Sequence, residues 1–251
     1  MLSISVIIPV YNDAELLRAC LAALNGQTRT ADEILVVDNA STDASAHVAR
    51  NAGARIVVES RRGLLPATAA GFDAATGEIL ARLDADSVPS PTWLEEIERI
   101  FESQPGASAV TGTARFYGGA AIARWYGRVC DLGTYFTVIG ALLGHPPLFG
   151  SNFALRAEAW QRMRHRVHRE RNDIHDDVDL SFQIQPDMQV VFHPNLGMSI
   201  SARPFASWSK FGRRIVWGFR TVFLNVREES PWRRRAARRR ASGQAEAPLF
   251  A

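Results

Sequence analysis

The chain has 251 residues, 47% of them hydrophobic, an ordinary globular composition able to bury a sizeable core as one large domain or two small ones. Its formal net charge of +3 is small but unevenly spread, with Asp38, Asp43, Asp84, Asp86 and most other acids in the first three quarters and the excess base at the end. The two cysteines, Cys20 and Cys130, show neither metal-ligand spacing nor a disulfide framework, so a reducing, cytoplasmic setting is expected.

Residues 1–9 carry no basic leader, and 5–10 read as a buried first strand. Asp13 can cap a helix whose apolar positions Leu16, Leu17, Cys20, Leu21 and Leu24 follow the 3.6-residue period, with Gly26 ending it. A strand over 33–37, a helix over 41–51, a strand over 55–58, a helix over 65–75 and a strand over 79–83 follow. Alternation of this kind predicts an α/β fold, a parallel sheet with helices on both faces. Further on, 93–101 reads as a helix, 107–116 as a strand, 148–155 as a strand or turn, 157–163 as a helix and 189–193 as a strand. Residues 132–155 carry no charge and are long enough to cross a bilayer, but Gly144, Pro146, Pro147 and Asn152 interrupt them, so a buried or interfacial segment is expected. The last forty residues set Trp208, Phe211, Trp217, Phe219 and Phe223 among arginines, the pattern of an amphipathic helix followed by a basic tail.

Ligands of parallel sheets bind at the carboxyl ends of the strands, and the notable polar groups fall there. Pro9, Val10, Tyr11 and Asn12 follow the first strand, Asp38 to Asp43 the second, Arg61-Arg62-Gly63 the third, and Asp84-Ala85-Asp86 the fourth. On an extended chain Asp84 and Asp86 project to one side, with Ala85 leaving room between them. Two such anions suit a hard cation that completes its shell with substrate phosphates and water; a solvated turn before Ser87 and Pro89 is the alternative. No Gly-x-Gly-x-x-Gly follows the first strand and no Walker loop is present, which argues against a dinucleotide-binding oxidoreductase and leaves phosphate recognition to metal and arginines. The acidic run Asp176-Asp177-Val178-Asp179 fits a solvated helix start, where the dipole favours acids, as well as a catalytic cluster. His175 beside it reads as a loop histidine, since no second histidine stands at ligand spacing. The arginines of 232–240 fit a solvated tail, an anionic membrane surface or nucleic acid, in that order, and the aromatic residues upstream favour membrane over nucleic acid.

Taken together, Ser5 to Asn12, Glu33 to Asp43, Gly77 to Asp86, Gly150 to Arg156 and Asp176 to Leu180 resemble, in order and spacing, the family 2 glycosyltransferases of the GT-A fold. The resemblance covers roughly residues 3–182. It implies a nucleotide-sugar binding fold with a mostly parallel central sheet and helices on both faces. Residues 1–230 would form one catalytic domain: a donor-binding half over about 1–115, an acceptor half over 116–200 and an amphipathic segment over 201–230. A basic, disordered tail would occupy 231–251. By the same resemblance Pro9, Val10, Tyr11, Asp38, Arg62, Asp84 and Ala85 bind the donor nucleotide, and Asp86 with Asp84 holds Mg2+ or Mn2+. Asp177 is the catalytic base, and Asn152, Asp176 and Asp179 lie on the acceptor side. The family often carries arginine where this chain has Thr68, and Arg62 or Arg82 stands as the compensating cation. The implied reaction moves a sugar from a UDP sugar, or a GDP or dTDP sugar, to an acceptor hydroxyl, lipid-linked or glycan, with inversion. It would take place near the inner membrane face, without nucleic acid. The rival readings are a catalytically silent nucleotide-sugar or membrane-binding module and a sugar nucleotidyltransferase.

Overall fold

The computed structural model describes residues 1–118, 133, 135–203, 208–241 and 243. Cys130 and part of the uncharged 132–155 run lie outside them. The strands β1 (Ile4–Val10), β2 (Glu33–Asp38), β3 (Arg55–Val58) and β4 (Ile79–Arg82) pair in parallel, with α1 (Ala14–Asn25), α2 (Ser45–Asn51) and α3 (Leu64–Ala74) as crossovers. After β5 (Ser87–Pro89) and α4 (Trp93–Ser103), β6 (Ala107–Thr111) rejoins the sheet while β7 (Arg115–Tyr117) leaves it. A π-helical turn (Tyr135–Ile139) runs into α5 (Gly140–Leu143), and β8 (Phe153–Arg156) then enters antiparallel between β4 and β6. The chain closes with α6 (Ala157–Met163), α7 (Asp176–Gln183), β9 (Gln189–Phe192), β10 (Met198–Ser201), α8 (Trp208–Glu228) and α9 (Pro231–Ala241). The main sheet has seven strands in the order β3-β2-β1-β4-β8-β6-β9, and β5-β10-β7 form a second, three-stranded sheet.

The central strands are apolar because both faces are covered. Every residue of β1 is buried. Ile4, Val6, Ile8 and Val36 pack with Leu17, Leu21, Trp93 and Ile97 on one face, while Ile7, Val37, Leu80 and Phe153 pack with Leu65, Phe72, Trp160 and Leu180 on the other. That arrangement agrees with the expected mostly parallel sheet between helical layers.

Several local expectations are corrected. Helix α2 starts at Ser45 rather than 41, because the intervening residues form a turn: Asp38 Oδ1 accepts the Ser41 N–H at 3.0 Å and Asn12 Oδ1 accepts that of Thr42 at 2.7 Å. The Asp13 side chain does not cap α1; Asp43 Oδ2 accepts the Ala14 N–H instead. The strand expected over 107–116 is two strands in two sheets. Gly112 lies at the break, where a Cβ would come within 2.7 Å of Asn152 Nδ2 and of Leu196 Cβ. Residues 135–155 form the π-helical turn, α5 and a loop leading into buried β8, and no helix among the described residues is long and apolar enough to cross a membrane. Within the expected disordered tail, Pro231–Ala241 is helical and Arg234 is buried, since its guanidinium reaches the carbonyl of Ile184 at 3.3 Å.

Candidate active site

Because β1, β2 and β4 run parallel and adjacent, their carboxyl ends place Val10, Asp38 and Asp84 along one edge. Two hollows open there. The first, of about 320 Å³, is bordered by Pro9, Val10, Tyr11, Asn39, Arg62 and Trp217. Tyr11 is partly exposed and the Arg62 guanidinium stacks over its ring, 3.2 Å from the centroid, a cation–π contact. Buried Asn39 donates to the carbonyls of Glu59 and Arg61 at 2.9 and 2.7 Å and accepts the Gly63 N–H at 2.8 Å, so it pins the loop that presents Arg62.

The second hollow, of about 120 Å³, gathers Arg82, Asp84, Asp86, Ser151, Asp176 and Asp177. Arg82 lies fully buried, and its Nη2 donates to Asp84 Oδ1 at 2.9 Å and to Asp176 Oδ2 at 3.0 Å. Burial alone would lower the Arg82 pKa, but Asp176, Asp84, Asp177 and Asp86 together outweigh it and raise the value. Asp176, 3% exposed, also accepts the Thr68 hydroxyl at 3.1 Å; burial pushes its carboxyl up to about 6 against the pull of Arg82. Thr68 and Arg82 thus meet on the same carboxylate oxygen of Asp176. Asp84 is held on its other oxygen by Ser151 Oγ at 2.5 Å.

Asp86 faces the loop end after β10. Arg203 bonds Asp13 at 2.6 Å and extends the same nitrogen to Asp86 Oδ2 at 3.4 Å. Burial first, then the charge of Asp84, pushes the Asp86 carboxyl up to about 6, with Arg203 opposing. Asp177 is half-buried near the start of α7; its Oδ2 accepts the Gly150 N–H at 3.1 Å and its Oδ1 that of Val178 at 2.8 Å. Position 150 must lack a side chain, since a Cβ would stand 2.6 Å from Arg82 Nη1 and 3.2 Å from Asp177 Oδ2.

The structure therefore brings Asp84, Asp86, Asp176 and Asp177 together, and Pro9, Val10, Tyr11 and Arg62 in the adjoining hollow. Asp38 stands at the end of β2 holding the Ser41 turn, and Ala85 is buried between the two aspartates. Two expected acceptor-side residues lie elsewhere. Asn152 is wholly buried, accepting from Trp93 Nε1 at 2.8 Å and donating to the carbonyls of Thr113 and Leu196, each at 2.8 Å, so it fastens β8 to its neighbours. Asp179, also wholly buried, accepts from His168 Nδ1 at 2.7 Å and Asn225 Nδ2 at 2.9 Å and ties α7 to α8. His175 is the loop histidine expected, its Nε2 paired with the Arg214 carbonyl at 2.9 Å. The tether of Asp84 to Ser151 spans 67 residues and has no signature in the sequence. The bond from Arg203 to Asp86 spans 117 residues, and no spacing in the sequence links the two.

A parallel sheet with a divided edge, one hollow floored by an aromatic ring and the other lined by carboxylates, defines a GT-A nucleotide-sugar binding fold. The chain belongs to glycosyl transferase family 2, whose description it matches over residues 5–164. It is 37% identical to glycosyltransferase AglE of Haloferax volcanii over 118 residues, 44% of this chain and 36% of that one. To the undecaprenyl-phosphate 4-deoxy-4-formamido-L-arabinose transferase of Edwardsiella ictaluri it is 37% identical over 123 residues, 45% of this chain and 37% of that one. The matched stretch thus spans less than half of either relative. Among solved structures, the mannosyltransferase PcManGT from Pyrobaculum calidifontis in complex with GDP-Man and Mn2+ shares the fold at a TM-score of 0.67 and 20% identity, over 98% of this chain and 76% of that one. Glucosyl-3-phosphoglycerate synthase from Mycobacterium tuberculosis, with Mn2+, UDP and phosphoglyceric acid, superposes at 0.64 and 20% identity, over 89% of this chain and 78% of that one.

Proposed function

We propose that this chain transfers a sugar from a nucleoside diphosphate sugar to an acceptor hydroxyl with inversion at the anomeric carbon, assisted by a divalent cation. The observation that carries the reading is the convergence of Asp177, oriented by the Gly150 N–H, on the same 120 Å³ hollow as Asp84 and Asp86. Pro9, Val10, Tyr11 and Asp38 receive the nucleoside, and Arg62 moves from the Tyr11 ring towards the diphosphate. UDP is the first expectation for the nucleotide, with GDP and dTDP as alternatives.

The residues present fit a cation. Asp86 is an acid whose burial and acidic neighbour favour added positive charge. Asp84, tied to Arg82 and Ser151, is the more constrained partner, so Asp86 is the principal ligand. Among the described residues no group of three or more His, Cys, Asp or Glu side chains is placed to hold a metal ion by itself, so Mg2+ or Mn2+ would draw its remaining oxygens from the diphosphate and water. When bound, the ion supplies Lewis-acid stabilisation to the leaving diphosphate.

The protein's own part is positional. Asp177 accepts the acceptor's hydroxyl proton as that oxygen forms its bond to the anomeric carbon. The bond from that carbon to the β-phosphate oxygen breaks on the opposite face, and its electron pair leaves with the nucleoside diphosphate. A lipid-linked or glycan acceptor and a peripheral contact with the inner membrane face suit the exposed apolar residues Phe219, Phe223 and Trp232 among the arginines of α8 and α9. The undecaprenyl-phosphate named in the Edwardsiella relative points the same way.

The test is a panel of nucleotide sugars with Mn2+ and the full chain, following nucleoside diphosphate release. Asp177→Asn should lower turnover by roughly 10²–10⁴-fold while leaving the donor Kd within about twofold. Unchanged turnover would remove the base assignment. Pyrophosphate release from a nucleoside triphosphate and a sugar phosphate would replace transfer with nucleotidyl transfer.

A further inference from the structure

A third hollow, of about 340 Å³, adjoins the carboxylate site. Its walls are apolar: Val138 and Ile139 from the π-helical turn and Leu142 from α5 on one side, Ile215, Phe219 and Val222 from α8 on the other. Its inner end is Asp177, with Phe149, His175 and Arg214, and these same four residues border the carboxylate hollow. Whatever fills the groove therefore touches the reacting end of the site. At its outer end Val138 is 49% exposed, Ile215 45% and Phe219 76%, and the apolar face continues along α8 through Val216 and Phe223. Arg213, Arg220 and Arg227, seven residues apart, flank that face. An apolar channel that starts at a basic, apolar surface and stops at a carboxylate matches a molecule with a long hydrocarbon chain and a polar head, presented from an anionic bilayer.

We infer that the groove between the π-helical turn and α8 holds the hydrocarbon chain of an amphiphilic acceptor whose hydroxyl-bearing head lies at Asp177. This rests on the transferase reading above and names its acceptor class. Gly218 lines the channel from α8. A Cβ there would meet nothing nearer than His175 Cδ2 at 3.8 Å, so alanine fits, whereas the further carbons of leucine enter the groove. Leucine also has the higher helix propensity, so the substitution does not threaten α8.

The experiment measures binding to the full chain by calorimetry, below the micelle concentration, for octyl, decyl and dodecyl phosphate, with glycerol phosphate as the chainless control and decyl glucoside as the neutral head. Each methylene taken into the groove should tighten binding by about fourfold until it is full. Gly218→Leu should weaken decyl binding at least tenfold and Gly218→Ala by less than threefold; UDP with Mn2+ reports separately on the donor side. Adsorption to the exposed face of α8 would give the opposite sign, because Gly218→Leu adds apolar surface. The phosphate and glucoside arms identify the head that the Asp177 end accepts. Affinity independent of chain length, or a Gly218→Leu protein that binds as tightly as wild type, overturns the groove assignment and leaves the transferase reading standing. Failure of every nucleoside diphosphate to bind the wild type removes that reading and the assignment with it.

Discussion

Arg82 is the residue around which the carboxylates are arranged. A guanidinium sealed from water is tolerated only when paired, and here Asp84 and Asp176 pair with it. Removing it leaves Asp176 buried beside Asp84 and Asp177 with no cation in contact. Arg82→Met should therefore lower unfolding stability by about 3–5 kcal/mol in urea titrations. Adding Asp176→Leu should recover part of that loss, because the second change removes the stranded charge. A double variant whose loss equals the sum of the two single losses would show that the pair is not coupled.

Among the elements, α7 carries the site on one end and is clamped on its inner face. Asp179 on α7, His168 in the preceding loop and Glu228 on α8 form a chain: His168 Nδ1 meets Asp179 at 2.7 Å and Nε2 meets Glu228 at 3.0 Å. The hydrogen bond to Asp179 is the main cause that raises the His168 pKa from an ordinary 6.5 to about 9. A base whose pKa rises on folding contributes stability that is whole below its unfolded value and fades as pH climbs through its folded one. Urea midpoints should thus fall between pH 6.5 and 9, and His168→Gln should flatten that slope. An equal slope in wild type and variant would place the titration elsewhere.

Why α7 and its motif were only half legible follows from the same geometry. β1, α1, β2, β3 and β4 announce themselves because each is a continuous apolar run or a 3.6-period stripe, and parallel pairing then converts local pattern into a shared edge. The three-residue strands β5 and β7 are too short to show a period. Asp176, Asp177 and Asp179 are chemically alike in the sequence; only the turn of the helix aims Asp177 at the hollow and Asp179 at His168. Asn152 is similarly ambiguous, because a buried amide with every polar atom bonded looks in one dimension like an amide waiting for a ligand.

At the scale of the molecule, the C-terminal helices close the fold over the end of α7. The arginines of α9 read as a solvated tail because nothing local reveals the carbonyls they meet. Arg234 donates to the Ile184 carbonyl at 3.3 Å and pairs with Glu229 at 2.7 Å, and its guanidinium lies 5.4 Å from the Phe182 ring. Arg238 donates to Met188 at 3.1 Å and to Gln185 at 3.2 Å. These carbonyls follow the last residue of α7, where cations are favoured by the helix dipole. Arg234→Ala should destabilise the whole protein by about 1–3 kcal/mol, since it removes a buried guanidinium from the Ile184 carbonyl, from Glu229 and from the Phe182 ring. Arg233→Ala, one position away and exposed, should stay within about 0.5 kcal/mol. Both charges are equal in the sequence, so the contrast in their urea midpoints isolates docking from net charge. Equal shifts in the two variants would mean that α9 does not stay packed on the catalytic domain in solution.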